Sequence, residues 1–167
     1  MNKMLEELID NAQSDDQKRF ESALLDLRLI IERFTQNRYS EKGVKDYLLL
    51  FSNKEFINYR LNSEQLKLVK HFLFFALFNF PDRTVLVAKC IKVLFDTSVR
   101  EAICVAIKHY MKIDDEATCE LIFAITDIGD FENYRSNQKI RTLFKDVSKF
   151  GGKNSKEAVS NRIGQNN

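Results

Sequence analysis

The chain has 167 residues, with one proline, five glycines, fourteen phenylalanines and a net charge of +2. A chain of this length can bury a core without disulfides or metals, so we expect no cofactor. The scarcity of proline and glycine argues against strands joined by turns and predicts an all-α fold. The longest apolar run, 72–78, is far shorter than the roughly 18 residues that span a bilayer, so we expect no membrane segment.

Two further features bear on the compartment. The first eight residues alternate acids with apolar residues and lack the continuous apolar region of a secretory signal, so we expect a cytoplasmic protein. Cys90, Cys104 and Cys119 are single cysteines, without a second cysteine or a histidine at metal-ligand spacing. We therefore expect them to be reduced, partly buried thiols and predict no metal site.

Apolar residues at helical spacing, interrupted by capping residues, predict about eight to nine helices along the chain. Their predicted ranges are about 3–12, 17–34, 40–51, 52–59, 62–80, 82–95, 96–110, 114–128 and 140–150. The second half of the helix over 62–80 is apolar on all sides, which predicts a core helix covered by several neighbours. We expect one helical domain over 1–152 and a flexible polar tail over 153–167, where few apolar residues remain.

The middle of the chain carries phrases typical of a repeat family. The residues concerned are Asp96, Val99, Arg100, Ala102 and Ala106 in one helix, and Ile128, Gly129 and Asp130 at the end of the next. In this arrangement the segment resembles HEAT-type helical repeats. The resemblance implies a short irregular stack of antiparallel helical hairpins, in which the first 60 residues form a cap without a clear repeat.

Charge is unevenly distributed along the second half of the chain. Eight basic residues and two acids follow from 135 to the end, whereas 113–134 contains acids but no lysine or arginine. Those acids are Asp114, Asp115, Glu116, Glu120, Asp127, Asp130 and Glu132. Acids at helix starts and a solvated basic helix would account for this pattern without any function. A charged interaction surface is the functional interpretation.

One face of the helix over 114–128 combines acids with an aromatic ring. Glu116, Glu120, Phe123 and Asp127 fall within about 60° of one another on a helical wheel, opposite the apolar face. Phe123 is either covered by another helix or available as an anchor for a partner. The predicted partner-binding residues are Glu116, Glu120, Phe123, Asp127, Asp130, Glu132 and Tyr134.

A small helical protein with an acidic face and no catalytic motif resembles, by type, the immunity proteins of bacteria. The resemblance implies a non-catalytic protein that binds and neutralises a basic toxin domain, for example a nuclease, with complementary charge speeding association. The chain has no glycine loop for phosphates. An enzyme would require His71 and His109 to converge with acids, and two histidines on separate apolar helices more often lie at the edge of a core.

The alternative function is nucleic-acid binding. Lys139, Arg141, Lys145 and Lys149 lie on the predicted last helix and could follow a phosphate backbone, with Phe144 and Phe150 nearby. The acidic block next to this helix would repel such a backbone, so a protein partner is the leading interpretation. The sequence does not specify the oligomeric state.

Overall fold

The structure is a computed structural model that describes residues 3–35, 50–128 and 137–164. Within these ranges the chain forms eight α-helices and no β-strand, which confirms the predicted all-α helical stack. The helices are α1 Lys3–Ala12, α2 Gln17–Thr35, α3 Ser63–Asn79, α4 Thr84–Lys92, α5 Arg100–Tyr110, α6 Asp115–Asp127, α7 Gln138–Phe150 and α8 Lys153–Gly164. Single turns of 3-10 helix occur at Lys54–Asn58, Pro81–Arg83 and Thr97–Val99. Most of the helix predicted over 40–51 lies outside the described residues.

Short polar side chains fix where the helices begin. Asn62 and Gln65 form a reciprocal capping box at the start of α3, with backbone-to-side-chain distances of 2.8 and 2.9 Å. At the start of α6 the Asp114 side chain accepts a hydrogen bond from the Ala117 amide. At the start of α7 the Asn137 side chain accepts one from the Ile140 amide. Each cap satisfies a backbone donor that the first helical turn leaves unpaired. The polar residues before the apolar stretches predicted the starts of α3 and α6 to within one residue, whereas the cap of α7 was not predicted.

The chain divides into two compact units, Met1–Leu94 and Phe95–Asn167, whereas we expected one domain over 1–152. In the first unit α1 packs on α2, α2 on α4, and α3 on α4. A buried arginine stabilises this unit: Arg83 donates to the Ala12 and Ser14 carbonyl oxygens at 2.8 and 2.9 Å. Its guanidinium carbon also lies 3.8 Å from the centre of the Phe20 ring.

The second unit is a stack of two helical hairpins. Consecutive helices pair, α5 with α6 and α7 with α8, and the pairs contact each other through α6 and α8 and through α5 and α7. Its core contains fully buried side chains from all four helices, among them Ile103, Ile107, Leu121, Phe144 and Val159. None of the described helices in either unit has the length and apolar character needed to cross a membrane.

Two predictions about individual helices are wrong. Residues 153–164 form α8 instead of a flexible tail, because Ser155, Ala158 and Val159 are buried against the rest of the second unit. The second half of α3 was expected to be covered by several neighbours, but among the described residues α3 packs mainly on α4, and Phe75 and Phe78 are 49% and 42% exposed. An apolar composition indicates that a helix can be buried, but it does not say how many neighbours will cover it.

Candidate functional site

Helix α6 presents the acidic face predicted from the sequence, and its inner side is buried as expected. Ala117, Leu121 and Ala124 are at most 1% exposed, so they fix the orientation of the helix. On the opposite side Glu116 is exposed, while Glu120, Phe123 and Asp127 are half-buried. The structure therefore brings these four predicted residues onto one surface. The other three, Asp130, Glu132 and Tyr134, lie outside the described residues.

A shallow recess of about 180 Å³ opens between α6 and α8 at this surface. We call it the acidic recess. Its lining residues are Glu116, Cys119, Glu120 and Phe123 from α6, and Asn154, Glu157, Ala158 and Asn161 from α8. Three of them are glutamates and none is a lysine or arginine. The recess therefore favours a positively charged group that can also contact an aromatic ring.

Helix α8 partly covers Phe123. The Arg162 guanidinium carbon lies 5.0 Å from the centre of the Phe123 ring, and Arg162 Nη1 lies 3.3 Å from Asp127 Oδ1. Both side chains of this ion pair are about one-third exposed. One end of the acidic face is thus partly neutralised within the chain, and the recess lies toward the other end, at Glu116.

Asp115 fixes the start of α8 beside the recess. Its carboxylate accepts hydrogen bonds from the Asn154 and Ser155 amides, both at 2.9 Å, and from the Ser155 hydroxyl at 2.5 Å. We call this set of contacts the Asp115 clamp. A Cβ at Gly152 would lie 2.4 Å from the Asp115 carboxyl carbon, so a larger residue at this position would displace the Asp115 side chain. The clamp pairs two backbone amides in the first turn of α8, which in most helices the side chain of the N-cap residue would do.

The clamp changes the acidity of its carboxyl group. Burial raises the pKa of Asp115, but the hydrogen bonds from Ser155 and Asn154 outweigh burial, so the net pKa lies below the ordinary value of 3.8. These bonds stabilise the ionised form specifically. Asp115 is therefore a carboxylate at neutral pH and holds α8 in place, so its charge is not available to a partner.

Sequence reasoning missed Glu157 and Arg162, because it assigned both to a flexible tail. A signal was present: Ser155, Ala158 and Val159 follow one another at helical spacing soon after the Gly151–Gly152 pair. The basic residues of the alternative site are also placed by the structure. Lys139, Arg141, Lys145 and Lys149 are all exposed on α7, but Lys139 Nζ lies 2.5 Å from Glu101 Oε2 on α5. Phe144 is fully buried and belongs to the core.

The remaining reactive side chains are the two histidines and the three cysteines. His71 is exposed on α3 in the first unit, and His109 is exposed on α5 in the second. No group of three histidine, cysteine, aspartate or glutamate side chains among the described residues could hold a metal ion. All three cysteines are free thiols, as predicted, and burial raises the pKa of Cys90 to about 12. A thiol with this pKa stays protonated and unreactive.

No protein-family model, curated protein or solved structure matches the chain. The inference of function therefore depends on the geometry of the acidic recess and on the exposed charges of the second unit.

Proposed function

We propose that this chain is a non-catalytic helical module that binds a basic protein through the acidic recess. One observation carries the proposal: three glutamates and the half-buried Phe123 ring surround a single recess whose lining contains no lysine or arginine. A charged group from a partner would find opposite charge and an aromatic surface in the same place. This combination is typical of binding sites in which one buried residue dominates the affinity.

The contact between Arg162 and Phe123 supports this mode of recognition. It places a guanidinium group over the ring and beside the Asp127 carboxylate within the free chain. An arginine of the partner would meet the same ring from the recess, with Glu116 and Glu157 at its rim. The acids Asp130 and Glu132 and the aromatic Tyr134 stay a predicted extension of this surface, because they lie outside the described residues.

The partner class that we propose is a bacterial toxin domain with a basic cleft, for which this chain acts as a cytoplasmic immunity protein. A nuclease cleft carries lysines and arginines that bind phosphates. Glutamates placed over such a cleft would speed association and block the substrate. The three free thiols agree with a reducing compartment. We also propose that the stacked hairpins of the second unit are HEAT-like repeats, since consecutive helices pair there and the two pairs pack against each other.

The test uses co-expression followed by a binding measurement. The native chain is expressed together with each protein encoded beside it, and a partner is identified when its toxicity to growth is suppressed. Binding of that purified partner is then measured by calorimetry and stopped-flow kinetics. We expect a one-to-one complex whose association slows as salt increases, because opposite charges steer the encounter.

Charge reversal at the rim separates this site from others. Glu116→Lys and Glu157→Lys replace exposed side chains, so they should leave the fold intact and weaken the complex by about tenfold or more. Glu21→Lys reverses an exposed charge on α2 in the first unit and serves as the matched control. Equal binding by all three variants would contradict the proposed site. Failure of every neighbouring protein to form a complex would contradict the proposed function itself.

A further inference from the structure

The exposed face of α7 carries three basic side chains in a row. Arg141, Lys145 and Lys149 follow at intervals of four residues, and all three are exposed. At a rise of about 1.5 Å per residue, neighbouring charges are about 6 Å apart along the helix axis. We call these three residues the basic row. The opposite face of α7 is buried and consists of Ile140, Leu143, Phe144 and Val147.

The charges of the basic row are not neutralised in the described part of the chain. Lys145 and Lys149 form no salt bridge there. Arg141 Nη2 donates only to the neutral Gln138 Oε1, at 3.4 Å. Asp146, also on α7, forms no salt bridge with the row and lines a recess facing α5. The row is therefore a run of positive potential along one edge of the second unit.

An aromatic ring stands at the end of the row. Phe150 is the last residue of α7 and is 51% exposed. Lys112 Nζ lies 4.7 Å from the centre of this ring, and Lys149 Nζ lies 6.0 Å from it. Lys112 comes from the turn after α5, so two separate segments bring ammonium groups to the same exposed ring. The sequence pattern of α7 alone did not predict the contribution of Lys112.

We propose that the basic row and Phe150 bind single-stranded nucleic acid, which goes beyond the proposed protein-binding function and uses a different surface. Phosphates of the strand contact Arg141, Lys145 and Lys149, and one unpaired base stacks on Phe150. When the base stacks on Phe150, it displaces the ammonium group of Lys112 or Lys149 from the ring, and that group then contacts a phosphate. Positive grooves combined with exposed aromatic rings are the common means of binding single strands without sequence preference.

The geometry favours a single strand over other anionic partners. In a duplex the bases are paired and stacked, so Phe150 would find no free base. An anionic bilayer would require several apolar side chains to insert, whereas the exposed uncharged residues of α7 besides Phe150 are Gln138, Thr142 and Ser148. Two acids of α6 are engaged within the chain, Asp115 with α8 and Asp127 with Arg162, and Glu116 and Glu120 line the acidic recess instead of the basic row.

The test measures binding of the full chain to a fluorescein-labelled oligodeoxythymidylate of about 12 nucleotides, a length within the site sizes of small single-strand binders. We expect saturable binding at low salt, with log affinity falling against log salt at a slope of about −2 to −3 for three to four phosphate contacts. A duplex of the same length should bind at least about tenfold more weakly. Vesicles containing phosphatidylserine provide the membrane comparison.

Substitutions separate the row from general charge. Lys145→Glu should lower the affinity more than about tenfold and make the salt slope shallower by about 0.7, the value for one single-strand phosphate contact. Lys18→Glu changes the net charge equally at an exposed lysine of α2 and should leave the affinity nearly unchanged. Circular dichroism shows whether each variant retains its helices.

Substitution of Phe150 tests the stacking. Phe150→Ala should lower the affinity about tenfold without changing the salt slope, because the ring makes no phosphate contact. The chain contains no tryptophan, so Phe150→Trp creates a single fluorescent reporter that the oligonucleotide should quench. Three results would overturn the proposal: equal binding of duplex and single strand, equal losses for Lys18→Glu and Lys145→Glu, or binding to vesicles without binding to the oligonucleotide.

Discussion

Asp26 and Asp115 each accept hydrogen bonds from two consecutive backbone amides, but their pKa values shift in opposite directions. Asp26 accepts the Ser52 and Asn53 amides, at 2.7 and 3.1 Å, much as Asp115 accepts two consecutive amides of α8. Burial raises the pKa of Asp26 despite these bonds, because the side chain is only 2% exposed. At Asp115 the hydrogen bonds prevail. Sequence analysis could not predict either role, since the bonded amides lie 26 to 40 residues away in the chain.

Arg83 is another residue whose role the sequence did not reveal, and it gives a prediction for the stability of the first unit. Arg83→Lys keeps the charge but removes the planar group that reaches two carbonyl oxygens and lies against Phe20. We expect a loss of about 2–3 kcal/mol in the free energy of unfolding, the usual cost of breaking hydrogen bonds to a buried charged group. Urea unfolding followed by circular dichroism measures this loss.

Arg60 provides the matched control, because it is an exposed arginine of the same unit. Arg60→Lys should change the free energy of unfolding by less than about 0.5 kcal/mol, as surface substitutions usually do. If both substitutions cost the same, the buried contacts of Arg83 do not stabilise the unit.

At the scale of elements, sequence patterns were most reliable where a helix has a well-defined apolar face. Helices α1, α2, α6 and α7 begin and end within a few residues of the predicted positions. Helix α8 was missed because its sequence is polar and its stability comes from tertiary contacts, which no local pattern records. The acidic recess was missed for the same reason, since one of its two walls is α8.

The Asp115 clamp predicts that α8 depends on one ionised carboxyl group. In Asp115→Asn, the amide oxygen can accept one backbone N–H, but the amide NH₂ group faces the other donor. We expect hydrogen exchange of the α8 amides to become about tenfold faster at pH 7, because charge-assisted hydrogen bonds are lost. Exchange is measured by mass spectrometry on peptides covering α8 and, as an internal reference, α1.

The same clamp has a defined dependence on pH. The pKa of Asp115 is lower in the folded chain than in the unfolded chain, so the carboxylate stabilises the fold at neutral pH. This contribution is complete above the ordinary pKa of 3.8 and is lost as the pH falls through the lower, folded value. Protection of α8 in the native chain should therefore approach that of Asp115→Asn only below about pH 4. Asp10→Asn, at an exposed site on α1, should leave α8 unchanged.

For the whole molecule, the sequence showed where charged residues cluster along the chain, but it did not show which of them form ion pairs. The acidic and basic blocks suggested surfaces for partners, and the structure joins some of these charges within the second unit. Asp127 meets Arg162, and Glu101 meets Lys139, whose pKa is raised by that contact. Counting charges along the chain cannot show which of them form ion pairs within the fold. The surfaces that we propose for partners are therefore narrower than the two charged blocks of the sequence: the acidic recess and the basic row.

Both surfaces belong to the second unit, so the division of the chain leads to a final prediction. A fragment containing 95–167 retains α5, α6, α7 and α8 together with the side chains they bury against one another. We expect this fragment to be helical and to unfold cooperatively in urea, although a chain of this size is only marginally stable. A fragment containing 112–167 lacks α5, exposes the core side of α6, and should not unfold cooperatively. If the longer fragment is also non-cooperative, the second unit does not fold independently; if it folds, binding at the recess and at the row can be measured without the first unit.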